Sequence, residues 1–198
     1  MKTYCIKEGY TPRLDNDFAD EKGRTDECQD DVYAAAKELV DAHGFHSVLD
    51  IGTGGGFKLM KYFRDKRTLG IDLEPNIAWV REQYPDREWS TVPLTGPAPQ
   101  GFDIIIAADV IEHLIDPDEL LDFIGACKPK IMVISTPNRD NLQDMFADGP
   151  PKNLCHVREW TAAEFREYIG QRFDVVAHVL PEPNQKLFST MWIVARPN

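Results

Sequence analysis

Short runs of consecutive apolar residues alternate along the chain with segments whose apolar residues recur at helical spacing. Val32, Ala35, Ala36, Leu39 and Val40 lie three to four residues apart and predict a helix ending near His43-Gly44. Ser47–Ile51 predicts a buried strand running into Gly52-Thr53-Gly54-Gly55-Gly56. Phe57, Met60 and Phe63 give the next helix its inner face, Arg67–Ile71 a second strand, and Ile77, Val80 and Tyr84 a further helix. Arg87–Val92 predicts a short strand, followed by a Pro- and Gly-rich loop from Pro93 to Gly101. Phe102–Ala107 is continuously apolar, the mark of a parallel strand buried on both faces. Asp116-Pro117-Asp118-Glu119 predicts a helix start, with Asp116 as N-cap, Pro117 at the first helical position and Glu119 as capping-box acid.

Lys130–Ser135 predicts another buried strand. Pro137 to Trp160 shows no clear element and reads as a functional loop or lid. Thr161-Ala162-Ala163-Glu164 is a second capping box, opening a helix with Phe165, Tyr168 and Ile169 inside. Phe173–Val179 and Leu187–Ala195 then predict two strands with only a Pro181-led loop between them, so they pair antiparallel. Residues 1–30 have no periodicity and carry Asp15, Asp17, Asp20, Glu21, Asp26, Glu27 and Asp30, as an irregular surface arm would. Alternating strands and helices mean an α/β fold with a doubly wound, mostly parallel sheet. The chain divides into an arm over 1–30 and one domain over 31–198.

Composition narrows the partners. The 198 residues carry 22 Lys and Arg against 33 Asp and Glu, a net charge of −11. That balance repels phosphate backbones and anionic lipid, which sets nucleic acid and membrane surfaces aside. The longest apolar runs, Ile104–Ala108 and Ile131–Ile134, are too short to span a bilayer, and the first residues do not form a signal peptide. Cys5, Cys28, Cys127 and Cys155 are scattered and read as reduced thiols, which suits the cytoplasm.

The sharpest chemical signal is Val48-Leu-Asp50-Ile-Gly52-Thr-Gly54-Gly-Gly56 between a strand and a helix. Glycines there let a ligand approach the backbone closely. A dinucleotide loop needs a further glycine at the position of Phe57, so that reading fails. Asp50 ends the strand, where a carboxylate suits a cationic ligand and repels pyrophosphate. Asp72, 22 residues further on, ends the next strand at the spacing of an acid that holds a ribose diol, with Glu74 as its competitor.

With Val48–Gly56, Gly70-Ile-Asp72, Phe102-Asp103-Ile-Ile, Val110-Ile-Glu-His-Leu114, Ser135-Thr-Pro-Asn138 and the terminal strand pair, the chain resembles the class I S-adenosylmethionine-dependent methyltransferases. The resemblance implies a Rossmann-like sheet of seven strands, the last antiparallel, with S-adenosylmethionine over the strands' carboxyl ends and S-adenosylhomocysteine as product. It implies that Asp50 lies near the methionine ammonium, Gly52, Thr53 and Gly54 against the cofactor, Asp72 on the ribose hydroxyls and Leu73 near the adenine. Relatives often carry an acid after the third strand. Here Trp89-Ser90-Thr91-Val92 stands instead, so a contact at Thr91 must serve.

Candidates for the chemistry follow the fourth strand. In a helical segment Asp109, Glu112 and His113 fall on one face, at i, i+3 and i+4, and His113 suits a general base. A purely positioning role for this Glu-His-Leu is the competing reading. A weaker likeness, to the small-RNA 3′-terminal 2′-O-methyltransferases, implies a divalent ion on Asp109, Glu112, His113 and His156. Asp109 stands where that family uses Glu, and the His-x-x-x-Trp-Thr pattern also occurs in metal-free relatives, so no metal is expected. Tyr10 and Arg13 of the arm, with Asn138, Arg139, Arg158 and His156 of the lid, are candidate substrate contacts. His43, His46 and His178 read as structural. The expectation is a methyltransferase acting on a hydroxyl of a small acceptor. The alternatives are metal-assisted methylation of RNA 3′ ends and a non-catalytic cofactor-binding module.

Overall fold

The computed structural model describes residues 2–16, 28–141, 147–181 and 190–198. Apolar runs become strands and striped segments become helices, in the order α1 (Asp30–His43), β1 (Ser47–Ile51), α2 (Phe57–Phe63), β2 (Arg67–Ile71), α3 (Asn76–Gln83), β3 (Glu88–Ser90), β4 (Ile104–Ala108), α4 (Asp118–Cys127), β5 (Ile131–Pro137), α5 (Ala162–Gly170), β6 (Phe173–Val179) and β7 (Thr190–Pro197). They build one seven-stranded sheet ordered β3-β2-β1-β4-β5-β7-β6. Neighbouring strands are parallel except at β7, which runs antiparallel to both β5 and β6. This is the doubly wound sheet with an antiparallel last strand that the sequence leads one to expect.

The pleat explains why the central strands are apolar throughout. In β4, Ile104, Ile106 and Ala108 face α1, α2 and α3, whereas Ile105 and Ala107 face α4 and α5. Both faces are covered, so no position in β4 tolerates a polar residue. Strand order reverses between β1 and β4, and the crevice outside their carboxyl ends is where ligands bind in open sheets of this kind.

Two local expectations change. The second capping box forms as read, Thr161 accepting from the Glu164 N–H and Glu164 from the Thr161 N–H. The first does not. The helix begins at Asp118 with Pro117 as its cap, Asp116 accepts the Asp118 N–H at 3.1 Å, and Glu119 stays exposed. Asp118 takes the structural role instead, accepting from Tyr168 at 2.6 Å and pairing with Lys2. His178 is not the satisfied sheet histidine expected, because its Nε2 is buried with no partner among the described residues. The acidic arm residues Asp17, Asp20, Glu21, Asp26 and Glu27, the loop at 182–186 and the predicted strand start at Leu187 lie outside the described residues. So do residues 142–146 of the segment read as a lid. Among the described residues no helix is long and apolar enough to cross a membrane.

Residues 2–16 and 147–160 lock together beside α4 and α5. Ile6 enters the core, the Trp160 indole donates to the Tyr4 carbonyl at 2.9 Å, and the Arg13 N–H donates to the Val157 carbonyl at 2.7 Å. Arg158 lies over the Tyr4 ring and donates to the carbonyls of Leu114 and Ile115, both at 2.8 Å. Arg139, 3% exposed, stacks on Tyr10 and donates to Glu164 at 2.7 Å and to the Glu159 carbonyl at 3.1 Å. These arginines read from sequence as solvated or substrate-facing, yet each is buried with its guanidinium committed to protein oxygens.

Arg139→Ala leaves a partly buried carboxylate without its cation, and Glu164 keeps only the backbone N–H groups of Lys7 and Thr161. Urea denaturation of this variant is expected to show a loss of about 3 kcal/mol.

Candidate functional site

Three strands, β1, β2 and β4, carry a carboxylate at or just beyond their carboxyl ends, and each carboxylate draws at least one donor from another element. After β1 the chain turns through Gly52 at φ +77°, where an added Cβ would lie 2.3 Å from a Val110 methyl. Only glycine meets both conditions. The N–H groups of Gly52 and Thr53 donate to the Ile71 carbonyl at 2.8 and 3.1 Å, folding the loop onto the end of β2. There Asp72 receives the Gly54 N–H at 2.7 Å on one oxygen, and the Leu73 N–H and the Asn76 amide on the other.

Leu73 beside it is exposed, and so is Thr91 after β3. Glu74 faces away, accepting the Ala78 N–H at 3.0 Å within α3, so Asp72 is the acid that faces the loop.

Asp50 is fully buried beneath the loop, and the Tyr33 hydroxyl of α1 donates across both its oxygens, at 2.9 and 3.0 Å. Burial pushes this carboxyl up to about 6, against the pull of the Thr53 and Tyr33 hydroxyls and of the Lys58 ammonium. Thr53 is buried in the same loop, with its hydroxyl beside the Asp50 carboxyl. Two carboxylates and a buried hydroxyl around a glycine turn form a set of polar groups that fits a ligand carrying an ammonium and a diol.

At the end of β4 the expected helical face does not form. Asp109 adopts φ +54° and turns toward β5 and β7, accepting from Ser135 at 2.6 Å, Thr190 at 3.1 Å and Gln29 at 3.1 Å. A left-handed residue cannot continue into a helix, and only a single 3₁₀ turn, Ile111–His113, follows. Asp109 is therefore not one of the cluster made by Glu112, His113 and His156, whose potential ligand atoms lie within 4.8 Å of one another.

Inside that cluster the protons can be assigned. His113 Nδ1 sits 2.9 Å from the Cys155 carbonyl, so it donates and the lone pair of the neutral ring is on Nε2. Burial lowers the imidazole's pKa and favours that neutral form. The Asn153 carbonyl oxygen accepts the Cys155 N–H at 3.0 Å, which turns its amide nitrogen toward His156 Nε2 at 2.9 Å. His156 therefore carries its proton on Nδ1, 2.7 Å from Glu159. Glu112 is fully buried, with one oxygen on the Thr136 hydroxyl at 3.1 Å and the other unpartnered. Desolvation, with Asp109 nearby, holds it well above the usual carboxylate range.

The remaining candidates sit apart from these groups. Tyr10 accepts the Glu159 N–H at 3.0 Å, Arg13 donates to the Pro151 carbonyl at 2.8 Å, and Asn138 accepts the Asp140 N–H at 3.0 Å. With Arg139 they belong to the joint between arm and lid. Sequence reading missed Tyr33, Ser135, Thr136, Asn153 and Glu159. Hydroxyls inside the buried strand Ile131–Pro137 did carry a signal, because such groups need acceptors.

The family model described as a methyltransferase domain matches residues 19–176. The N-methyltransferase NodS from Bradyrhizobium japonicum WM9, solved with S-adenosylhomocysteine, superposes with a TM-score of 0.65 at 16% identity, over 90% of this chain and 93% of that one. The methyltransferase domain of bacterial CtHen1 in the form designated CtHen1-CN gives 0.62 at 22% identity, over 85% and 98%. The [4+2]-cyclase SpnF gives 0.71 at 14% identity, over 95% and 87%, so one architecture serves different chemistry. No curated protein sequence matches the chain.

Gly52→Ala forces a Cβ into Val110 and a side chain into a left-handed backbone. Denaturant titration is expected to show a stability loss of about 2 kcal/mol.

Proposed function

The chain belongs to the class I S-adenosylmethionine-dependent methyltransferase family, and from that membership we propose that it methylates a hydroxyl oxygen of a small acceptor. When bound, S-adenosylmethionine supplies a methyl group activated on a sulfonium sulfur. The protein's own tasks are to grip the cofactor, align the acceptor and receive its proton. Asp50 and Thr53 are the groups suited to the amino-acid end. Asp72 is suited to the ribose diol, and Leu73, apolar and exposed beside it, to the flat base.

The observation that carries the oxygen acceptor is the fixed tautomer of His113. With the Nδ1 proton hydrogen-bonded to the Cys155 carbonyl, Nε2 is the basic nitrogen of the neutral ring, a group of the type suited to a hydroxyl that must lose a proton as it is methylated. Burial raises the affinity of the neighbouring Glu112 carboxyl for its own proton. An acceptor attacking through a neutral amine needs such a base less. The acidic net charge favours a small acceptor over a polyanion.

One observation favours a second reading. The unpartnered buried oxygen of Glu112, beside His113 and His156, is a donor set that could take a divalent ion, as metal-assisted 2′-O-methylation of an RNA 3′ end requires. Against it, both His156 nitrogens are engaged, by Glu159 and Asn153.

Calorimetric titration with S-adenosylhomocysteine should show binding to the native chain and at least about tenfold weaker binding to Asp72→Ala. Binding without turnover on any hydroxylated acceptor would instead indicate a non-catalytic module. His113→Ala should lower kcat by about 10²–10⁴ with cofactor affinity retained. EDTA should leave turnover unchanged; a collapse of activity with EDTA, restored by one divalent metal, would put the RNA-end reading first.

A further inference from the structure

Asp50 is fully buried, and among the described residues no ion pair reaches it. A carboxylate so placed tends toward its neutral form. Two hydroxyls favour its ionised form: Thr53 of the glycine loop, and Tyr33 of α1, whose single proton bridges both carboxylate oxygens at 2.9 and 3.0 Å. The Tyr33 ring is held from behind, stacked on Tyr62 with centroids 6.4 Å apart, and the Tyr62 hydroxyl is tied to Asp30 at 2.8 Å. The charged groups facing the pair are Lys58 of α2, whose ammonium lies 5.7 Å from the Tyr33 ring centroid, Asp72 at the end of β2, and Asp109 after β4. Lys58 favours the ionised carboxylate and Asp72 opposes it. Burial and the adjacent Asp50 hold the Tyr33 phenol well above its ordinary pKa, so it remains a donor throughout the working range.

We infer that Tyr33 is a positioning residue of the cofactor site, holding Asp50 oriented and ionised for the ammonium of the bound amino-acid moiety. This rests on the cofactor reading above. The direction of the pH effect follows from the geometry. Asp50 titrates near 6, and once protonated it offers an ammonium no countercharge. Affinity for S-adenosylhomocysteine therefore falls as pH drops through that region. Removing the hydroxyl removes a contribution that lowers the carboxyl's pKa, so in Tyr33→Phe the fall begins at higher pH.

The test is calorimetric titration of the full chain with S-adenosylhomocysteine across about pH 5 to 9. In the native protein the affinity midpoint is expected near 6. In Tyr33→Phe it moves up by about one pH unit or more, with affinity near pH 7 reduced up to about tenfold and recovering at the alkaline end. Tyr62→Phe keeps the stacked ring and leaves the midpoint in place. A folded Tyr33→Phe with the native midpoint, or with a loss equal at every pH, overturns the inference. If Tyr33→Phe does not fold, 3-fluorotyrosine at position 33 decides. It strengthens the donor and keeps the shape, so a lowered midpoint supports the inference and an unmoved one overturns it. Failure of the native chain to bind the ligand at all would overturn the cofactor reading instead, a distinguishable result.

Discussion

Carboxylates that end parallel strands must find hydrogen-bond donors without the help of the sheet ladder, and the crevice is organised around that need. Asp50 finds α1 through Tyr33, and Asp72 finds the glycine loop through Gly54. Asp109 finds β5, β7 and the start of α1 through Ser135, Thr190 and Gln29. Glu112 finds β5 through Thr136. Each bond ties one element or turn to another, so the acids that line the crevice also hold its walls together. An unpaired acid at these depths would cost more than a surface ion pair returns.

The same need explains what the sequence made legible. Strand and helix positions came from periodicity, because a strand covered on both faces can hold only apolar residues and a covered helix needs a stripe. Ser47–Ile51, Arg67–Ile71 and Phe173–Val179 are strands with the boundaries their patterns suggest. The glycine loop and Asp72 were legible because backbone approach and a strand-end acid each demand a residue type. Asp109 misled because spacing shows which residues would share a helical face but not whether the backbone is helical there. A left-handed φ at one residue redirected its side chain. Tyr33 did not stand out in the sequence, since nothing local distinguishes a phenol with a buried partner from one that only fills space.

The arginines illustrate a different limit. Arg139 and Arg158 lie in a segment without periodicity, where solvation is the ordinary expectation. Their burial depends on the Tyr4 and Tyr10 rings, more than a hundred residues away in sequence, and, for Arg158, on carbonyls left open by the turn after His113. Such long-range complementarity has no local signature. It also links the neutral His113 to the arm, because the Asn16 amide donates to the carbonyls of both His113 and Cys155, at 3.1 and 3.0 Å.

The antiparallel strand β7 lies between β5 and β6, which precede it in the chain. During synthesis β5 therefore emerges with one edge unpaired and stays so until β7 is made, while residues 2–16 wait for partners as distant as Trp160. The early halves of the sheet, β1 to β4 with α1 to α3, can assemble as their residues appear. The joint that holds His113 and the last sheet pairings must close together at the end. Folding then has a late, cooperative step that completes the His113 side of the crevice after the glycine-loop side is in place, and a nascent chain stalled before β7 exposes an open apolar edge to any neighbour able to pair with it.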